Sequence, residues 1–238
     1  MDEALTLWSY LARDPLLWLT LTLGAYVSAE GISVLCKRHP LANPVLIAVI
    51  LLALVLRATE TRYDTYFAGA QFVHFMLGPA TVALALPLYL NLGRVKRAAL
   101  PMLAGLLAGS LVAMLSALGL AWAFGLRGAA LLSLAPKSAT APVALGVSEA
   151  VGGIPTLTAA LVILTGIIGA VVATPMLNAL GVKDWRARGF AVGVAAHGIG
   201  TAHAFRINPM AGAFSGIGMG LNAILTAVLA PLVVGLLF

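Results

Sequence analysis

Lys137 is the residue in this sequence that most needs a reason. It stands in Leu134-Ala135-Pro136-Lys137-Ser138-Ala139-Thr140-Ala141-Pro142, with no other Asp, Glu, Lys or Arg between Arg127 and Glu149. If that stretch lies in lipid, a lysine at its centre costs about 2.5–3.5 kcal/mol and requires a partner or a function. Two prolines bracket it, and Ser138 and Thr140 add hydroxyls. A half-helix starting nearby would bring backbone N–H groups, hydroxyls and the ammonium to one point. That set suits a carboxylate or another small anion. The competing reading is a lysine that snorkels to the interface.

Other residues carry weaker chemistry. Glu149 could pair with Lys137, carry a coupling proton, or sit at the interface beside Gly152-Gly153. His197 and His203 flank Gly198-Ile199-Gly200-Thr201, and a histidine titrates near neutrality, which suits proton coupling. Tight packing around a kinked helix explains the same residues. Their spacing does not share one helical face and no Cys or acid completes a ligand set, so no metal site is expected. The Gly-x-Gly is not a phosphate loop, because no strand precedes it and no Lys-Ser/Thr follows. For Glu30 a packing contact and a functional role both stand, and His74 would face the first broken segment described below. Asn91, Asn222 and Thr226 read as hydrogen bonds between helices. No nucleophile elbow, HExxH or acidic pair is present. Neither an enzyme nor a cofactor is expected.

The elements that must position these groups are apolar. The 238 residues are 61% hydrophobic and 9% charged, with mean hydropathy +1.04, whereas a soluble domain has about 25% charged residues. Uncharged runs separate Asp64 from Arg94, Arg97 from Arg127 and Glu149 from Lys183, and another fills 207–238. Each exceeds the roughly 20 residues of a membrane-crossing helix. Helix is the required form, since a spanning segment satisfies its own backbone. The net charge of +6 sits in clusters at Lys37-Arg38, Arg94/Lys96/Arg97 and Lys183/Arg186/Arg188. Such clusters mark cytoplasmic loops facing anionic lipid rather than a nucleic-acid surface. Cys36 is the single cysteine, so no intrachain disulfide forms. The acidic Met1-Asp2-Glu3 does not read as a cleavable signal. The expected location is the cell inner (plasma) membrane, with multiple passes.

Eight hydrophobic segments follow, at about 15–35, 41–57, 66–91, 98–125, 128–151, 155–180, 189–205 and 211–237, forming one membrane domain over 1–238. The fold class is all-α, a polytopic transmembrane helical bundle with broken or re-entrant helices. Segments 98–125, 155–180 and 211–237 are plain spans whose glycines, among them Gly105, Gly109, Gly166 and Gly169, read as packing. Breaks fall at Gly78-Pro79-Ala80-Thr81 through Pro87, at Pro136 through Pro142, and at His197 through His203. Such breaks line substrate sites in secondary transporters. A shift of 57 places aligns Pro79 with Pro136, Thr81 with Ser138 and Gly109 with Gly166, suggesting repeat units at about 66–125 and 128–180. Keeping all three basic clusters in the cytoplasm makes 128–151 a re-entrant hairpin. The alternative is a full crossing with one basic loop breaking the rule.

The runs Leu77-Gly78-Pro79-Ala80-Thr81, Leu134-Ala135-Pro136-Lys137-Ser138, Gly153-Ile154-Pro155, Leu164-Thr165-Gly166 and Ala196-His197-Gly198-Ile199-Gly200-Thr201-Ala202 resemble the LrgB/CidB/YohK family. The likeness extends from His39 to the end. It departs mildly at Thr140-Ala141-Pro142-Val143-Ala144-Leu145-Gly146, where the family often has Thr-Thr-Pro-Ile-Ala-Met. The resemblance implies two functions. One is a holin-like or antiholin-like protein affecting murein hydrolase activity and cell lysis. The other is transport of glycolate, glycerate or pyruvate, as in a plant plastid relative. It also implies an LrgA/CidA-type membrane partner. A carrier of small monocarboxylates uses the broken helices and buried lysine, which a lesion-forming protein does not need. The expected binding set is Thr81, Lys137, Ser138, Thr140, His197 and Thr201, with Glu149 and His203 as coupling candidates. A homo-oligomer and an elevator or rocking motion are expected, with the plain spans as scaffold.

Overall fold

The computed structural model describes residues 14–39, 42–76, 79, 82–83, 89 and 92–238. Helices begin where the sequence supplies caps. Asp14, Asn43, Asp184 and Asn208 each lie in extended backbone and accept N–H groups of the following turn. Proline follows at the first turn after Asp14, Asn43 and Asn208, where its missing N–H costs nothing. Among the described residues all regular structure is helical. The chain divides into two compact units, 1–83 and 84–238.

In the first unit, α1 (Pro15–Leu35) packs on α2 (Pro44–Ala58) and α3 (Tyr63–Phe75). Buried Trp18 meets Tyr66 edge-on at 5.8 Å, and the Tyr66 hydroxyl lies 3.2 Å from Thr22. Glu30 takes an ion pair from Arg38 at 2.9 Å, which makes it a helix-end contact. Most of the expected break at Gly78–Pro87, including Thr81, lies outside the described residues, as do Asn91 and part of the expected repeat unit 66–125.

The second unit carries α4 (Leu92–Arg97), α5 (Ala99–Ala123), α6 (Gly128–Leu132), α7 (Ala141–Ala150), α8 (Pro155–Ala179), α9 (Trp185–Ile207) and α10 (Pro209–Leu237). With α1, the helices α5, α8 and α10 are long and apolar enough to cross a membrane. Helices α6 and α7, of 5 and 10 residues, are not. They form the two arms of a re-entrant hairpin. Ser133, at the end of α6, accepts the Ile154 N–H at 2.7 Å, so the chain leaves near the level where it entered. This is the hairpin alternative for 128–151, not the full crossing.

The segment at 189–205 is more than a kinked helix. Helix α9 breaks at His197, whose φ of 41° and ψ of −136° are non-helical. A β-carbon on Gly200 would lie 3.3 Å from the Val192 carbonyl oxygen. Eight residues of straight helix would hold those positions about 12 Å apart. Val192 and Ala204 also share one apolar cluster. The arms 185–196 and 198–207 therefore lie antiparallel, as a second hairpin. Gly189 and Gly193 press on the α10 backbone at Ala211 and Ser215, and Gly218 presses on the Phe190 carbonyl. Small residues at these crossings let the backbones touch. The chain thus repeats one device: hairpin 128–154 then span α8, hairpin 185–207 then span α10. The spans expected to be scaffold at 155–180 and 211–237 are bonded into the hairpins instead.

Candidate functional site

Helix α8 is the ruler against which the site is built. The first hairpin closes at its N-terminal end. Ser133, Ser148 and Thr158 are each fully buried (0%), and Thr158 Oγ1 donates to the Ser133 carbonyl at 3.0 Å and lies 2.7 Å from Ser148 Oγ. A side chain on Gly153 would collide with Ser148, so glycine is required there. The second hairpin closes at the opposite end of α8. Buried Arg188 donates to the Val182 carbonyl at 2.8 Å and to the Thr174 carbonyl at 3.5 Å, and its guanidinium lies over Trp185. The two hairpins therefore enter from opposite ends of the span.

Their tips meet at its middle. Ala139 and Ala144 of the first tip pack on Val162 of α8. The His197 ring, at the tip of the second, donates from Nε2 to the Val162 carbonyl at 2.8 Å. A β-carbon at Gly166 would come within 2.6 Å of that ring. Gly166 is thus the notch that admits His197, a role that a packing glycine did not suggest. Lys137 Nζ donates to Ser138 Oγ at 3.2 Å. Its other two N–H donors find no acceptor among the described residues.

Around the tips the polar groups are tied to three helices. Asn222 of α10, 1% exposed, donates to the Ser138 carbonyl at 3.0 Å and accepts from Ser110 Oγ of α5 at 2.6 Å. Thr201 Oγ1 donates to the His197 carbonyl at 2.7 Å and lies 2.9 Å from Ser215 Oγ. Thr140 is the N-cap of α7 yet makes no side-chain capping bond. The first N–H groups of α7 are left for another acceptor. The helical arm after His197 likewise begins at the tip. Both positive helix ends and one ammonium converge there, and such a place favours an anion.

Of the candidate residues, Lys137, Ser138, Thr140, His197 and Thr201 come together at the two tips, while Thr81 is outside the described residues. The coupling candidates lie at the bases. Glu149 is exposed beside Ser148, about 13 Å along α7 from Thr140, and no ion pair joins it to Lys137 among the described residues. His203 lines a cavity of about 20 Å³ with Arg188, Trp185 and Thr174. Its Nε2 is buried without a protein partner among the described residues, and the cavity is large enough for one water. Among the described residues no cluster of His, Cys, Asp or Glu could hold a metal. Sequence reasoning had Asn222 as a bond between helices, which it is. It missed Ser133, Ser148 and Thr158, because lone hydroxyls in apolar helices carry no pattern.

A cleft of about 660 Å³ separates α5 from the first arm of α9. Arg97 and Arg186 stand at its mouth and Gly109 and Ala195 line it deeper in. Outside the mouth, Lys183 and Asp184 join them around an open basin. The Arg186 side chain bonds Asp184 at 2.6 Å and holds its carboxyl below the ordinary carboxylate range.

The profile described as the LrgB-like family matches residues 22–236. A Bacillus subtilis protein named YxaC is 36% identical over 218 residues, covering 91% of this chain and 94% of its own. The protein named holin-like protein CidB in Staphylococcus epidermidis is 34% identical over 201 residues, covering 84% of this chain and 88% of its own. Its namesake in Staphylococcus aureus is 33% identical over 200 residues, covering 84% and 87%. No solved structure matches the chain.

Proposed function

The chain belongs to the LrgB-like family and is a multi-pass protein of the cell membrane; from that premise we propose that it is a secondary carrier of small monocarboxylates. The observation that carries the reading is the meeting of two oppositely entering hairpins at Lys137 and His197. Discontinuous helices with their N-termini at mid-membrane are how carriers hold anions while access alternates. In this reading Lys137 supplies the charge that neutralises the carboxylate. Ser138, Thr140 and the first N–H groups of α7 donate to its remaining lone pairs, and His197 and Thr201 hold the opposing tip. Thr81 completes the proposed set. Glycolate, glycerate and pyruvate are the cargoes that the family resemblance suggests. Proton coupling would pass through Glu149 or His203. The hairpins with α8 and α10 would move as one body, in the manner of an elevator. The protein has no enzymatic step in this scheme. A homo-oligomer and an LrgA/CidA-type partner complete it.

The names of the Staphylococcus relatives favour a second reading, a holin-like role in cell lysis, and they support it better than they support transport of any carboxylate. A lesion built from oligomerising spans leaves Lys137 and the paired hairpins without work, which is why the geometry favours the carrier.

Uptake of radiolabelled glycolate and pyruvate into proteoliposomes, with and without a proton gradient, separates the two. The expected result is saturable uptake that Lys137→Ala abolishes in protein that still elutes as the native species. Leakage of large unrelated dyes without saturable uptake would sink the carrier reading and leave the holin-like one. If neither occurs, the assay is repeated with an LrgA-type protein present.

A further inference from the structure

We propose that the cleft between α5 and the first arm of α9 is the aqueous path from the basic face of the second unit to the hairpin tips, with Arg97, Lys183 and Arg186 as its anion-gathering mouth. The inference rests on the carrier reading for what travels along the path. Its existence as a water-filled route stands on separate observations.

Three features place water rather than lipid in it. First, the deep end adjoins the polar network of the first tip. Gly109 precedes Ser110, which bonds Asn222, and Asn222 bonds the tip carbonyl of Ser138. Ala195 lies two residues before His197. An acyl chain in the cleft would end beside that network, and polar surroundings favour water over hydrocarbon. Second, the walls are cut back. Gly105 and Gly109 line one side. On the other, Ala187, Ala191 and Ala195 recur every fourth residue and are exposed, beside Phe190 and Val194, which also line the cleft and pack on Met102 and Leu106 of α5. A helix face of alanines leaves room that leucines would fill. Third, the mouth is cationic. Arg186 is occupied by Asp184, and Arg97 and Lys183 around the basin have no ion pair among the described residues. A cleft with walls of low dielectric focuses such charge and concentrates anions. The cleft opens at the end where the second hairpin closes, so the path is open to that face. By the cation rule the face is cytoplasmic.

Thiol accessibility tests this without transport. The native Cys36 is changed to Ser, and Ala191→Cys or the deeper Ala195→Cys is introduced into the full chain in membrane vesicles of known sidedness. Two water-soluble thiosulfonates are compared, one bearing a sulfonate and one a quaternary ammonium, each normalised to its rate with a free thiol. Both should react from the cytoplasmic face, with the sulfonate favoured about tenfold. Arg97→Glu combined with Lys183→Glu should remove or invert that preference. Reaction with a lipid-soluble maleimide alone would overturn the proposal and make the cleft a lipid groove. No reaction with any reagent at either position would also overturn it and show that protein covers the cleft. Labelling without carboxylate uptake would retain the path and sink the cargo, so the two failures read differently.

Discussion

At the scale of single residues, His197 has a strained backbone. Its backbone lies at φ 41° and ψ −136°, where a side chain costs about 1–3 kcal/mol and glycine costs little. The ring repays this by donating to the Val162 carbonyl. The two contributions separate in two variants. His197→Ala keeps the strain and loses the bond, whereas His197→Gly loses both. His197→Gly should therefore unfold at higher temperature than His197→Ala, by the equivalent of about 1–3 kcal/mol, in thermal unfolding of detergent-solubilised protein. Equal stability would mean that the reversal is not strained. Part of this was visible in the sequence, because His197-Gly198-Ile199-Gly200 interrupts an apolar run. That the reversal would fall on the histidine, with two glycines within reach, was not. A backbone conformation is set by what the ring gains at Val162 and Gly166, 35 and 31 positions away.

At the scale of elements, each hairpin depends on a clamp at its base. The first is made by Ser133, Ser148 and Thr158. Thr158→Val keeps the shape of the side chain and leaves the Ser133 carbonyl without its donor, at a cost of about 1–3 kcal/mol. Hydrogen exchange should then quicken across 133–154 and stay unchanged across 185–207, where Arg188 holds the second base. Uniform loss of protection would show that the hairpins do not open independently. The breaks were legible: Pro136, Pro142 and Gly152-Gly153 cannot continue a helix, and α7 begins at Ala141 as their spacing requires. The clamp was not, since Ser and Thr recur in each of the four long apolar spans and only contact picks out these three.

At the scale of the whole molecule, described unit by unit, the arrangement of the second unit follows from two hairpins that do not cross. Helix α5 runs from the Arg97 end to the Arg127 end, and α8 runs back, so Arg97 and Arg186 share one cleft mouth. That satisfies the preference of cations for one face. Single cysteines test it on the Cys36→Ser background: Arg127→Cys should label with an impermeant maleimide from outside, and Lys183→Cys only from the cytoplasmic face. Labelling of both from one face would mean that 128–154 crosses the membrane and that the hairpin description is wrong. Glu149 and His203 lie at opposite bases, away from the tips.

The sequence by itself determined that the chain lives in lipid, where its long uncharged spans run, and which of its segments cannot be straight helices. Those properties are local: the cost of charge in hydrocarbon, the missing N–H of proline and the freedom of glycine act on a residue wherever the chain goes. It also singled out Lys137, Ser138, Thr140, His197 and Thr201, because polar residues are conspicuous in an apolar background. Only the tertiary structure decided that the second and third breaks face each other, that they enter from opposite ends of α8, that Gly166 makes room for His197, and that Asn222 ties the first tip to α5. Each of these joins residues tens of positions apart through a close contact between helices. Close contacts depend on which faces of the helices pack, and in helices apolar on every side the sequence carries no stripe to say which face that is.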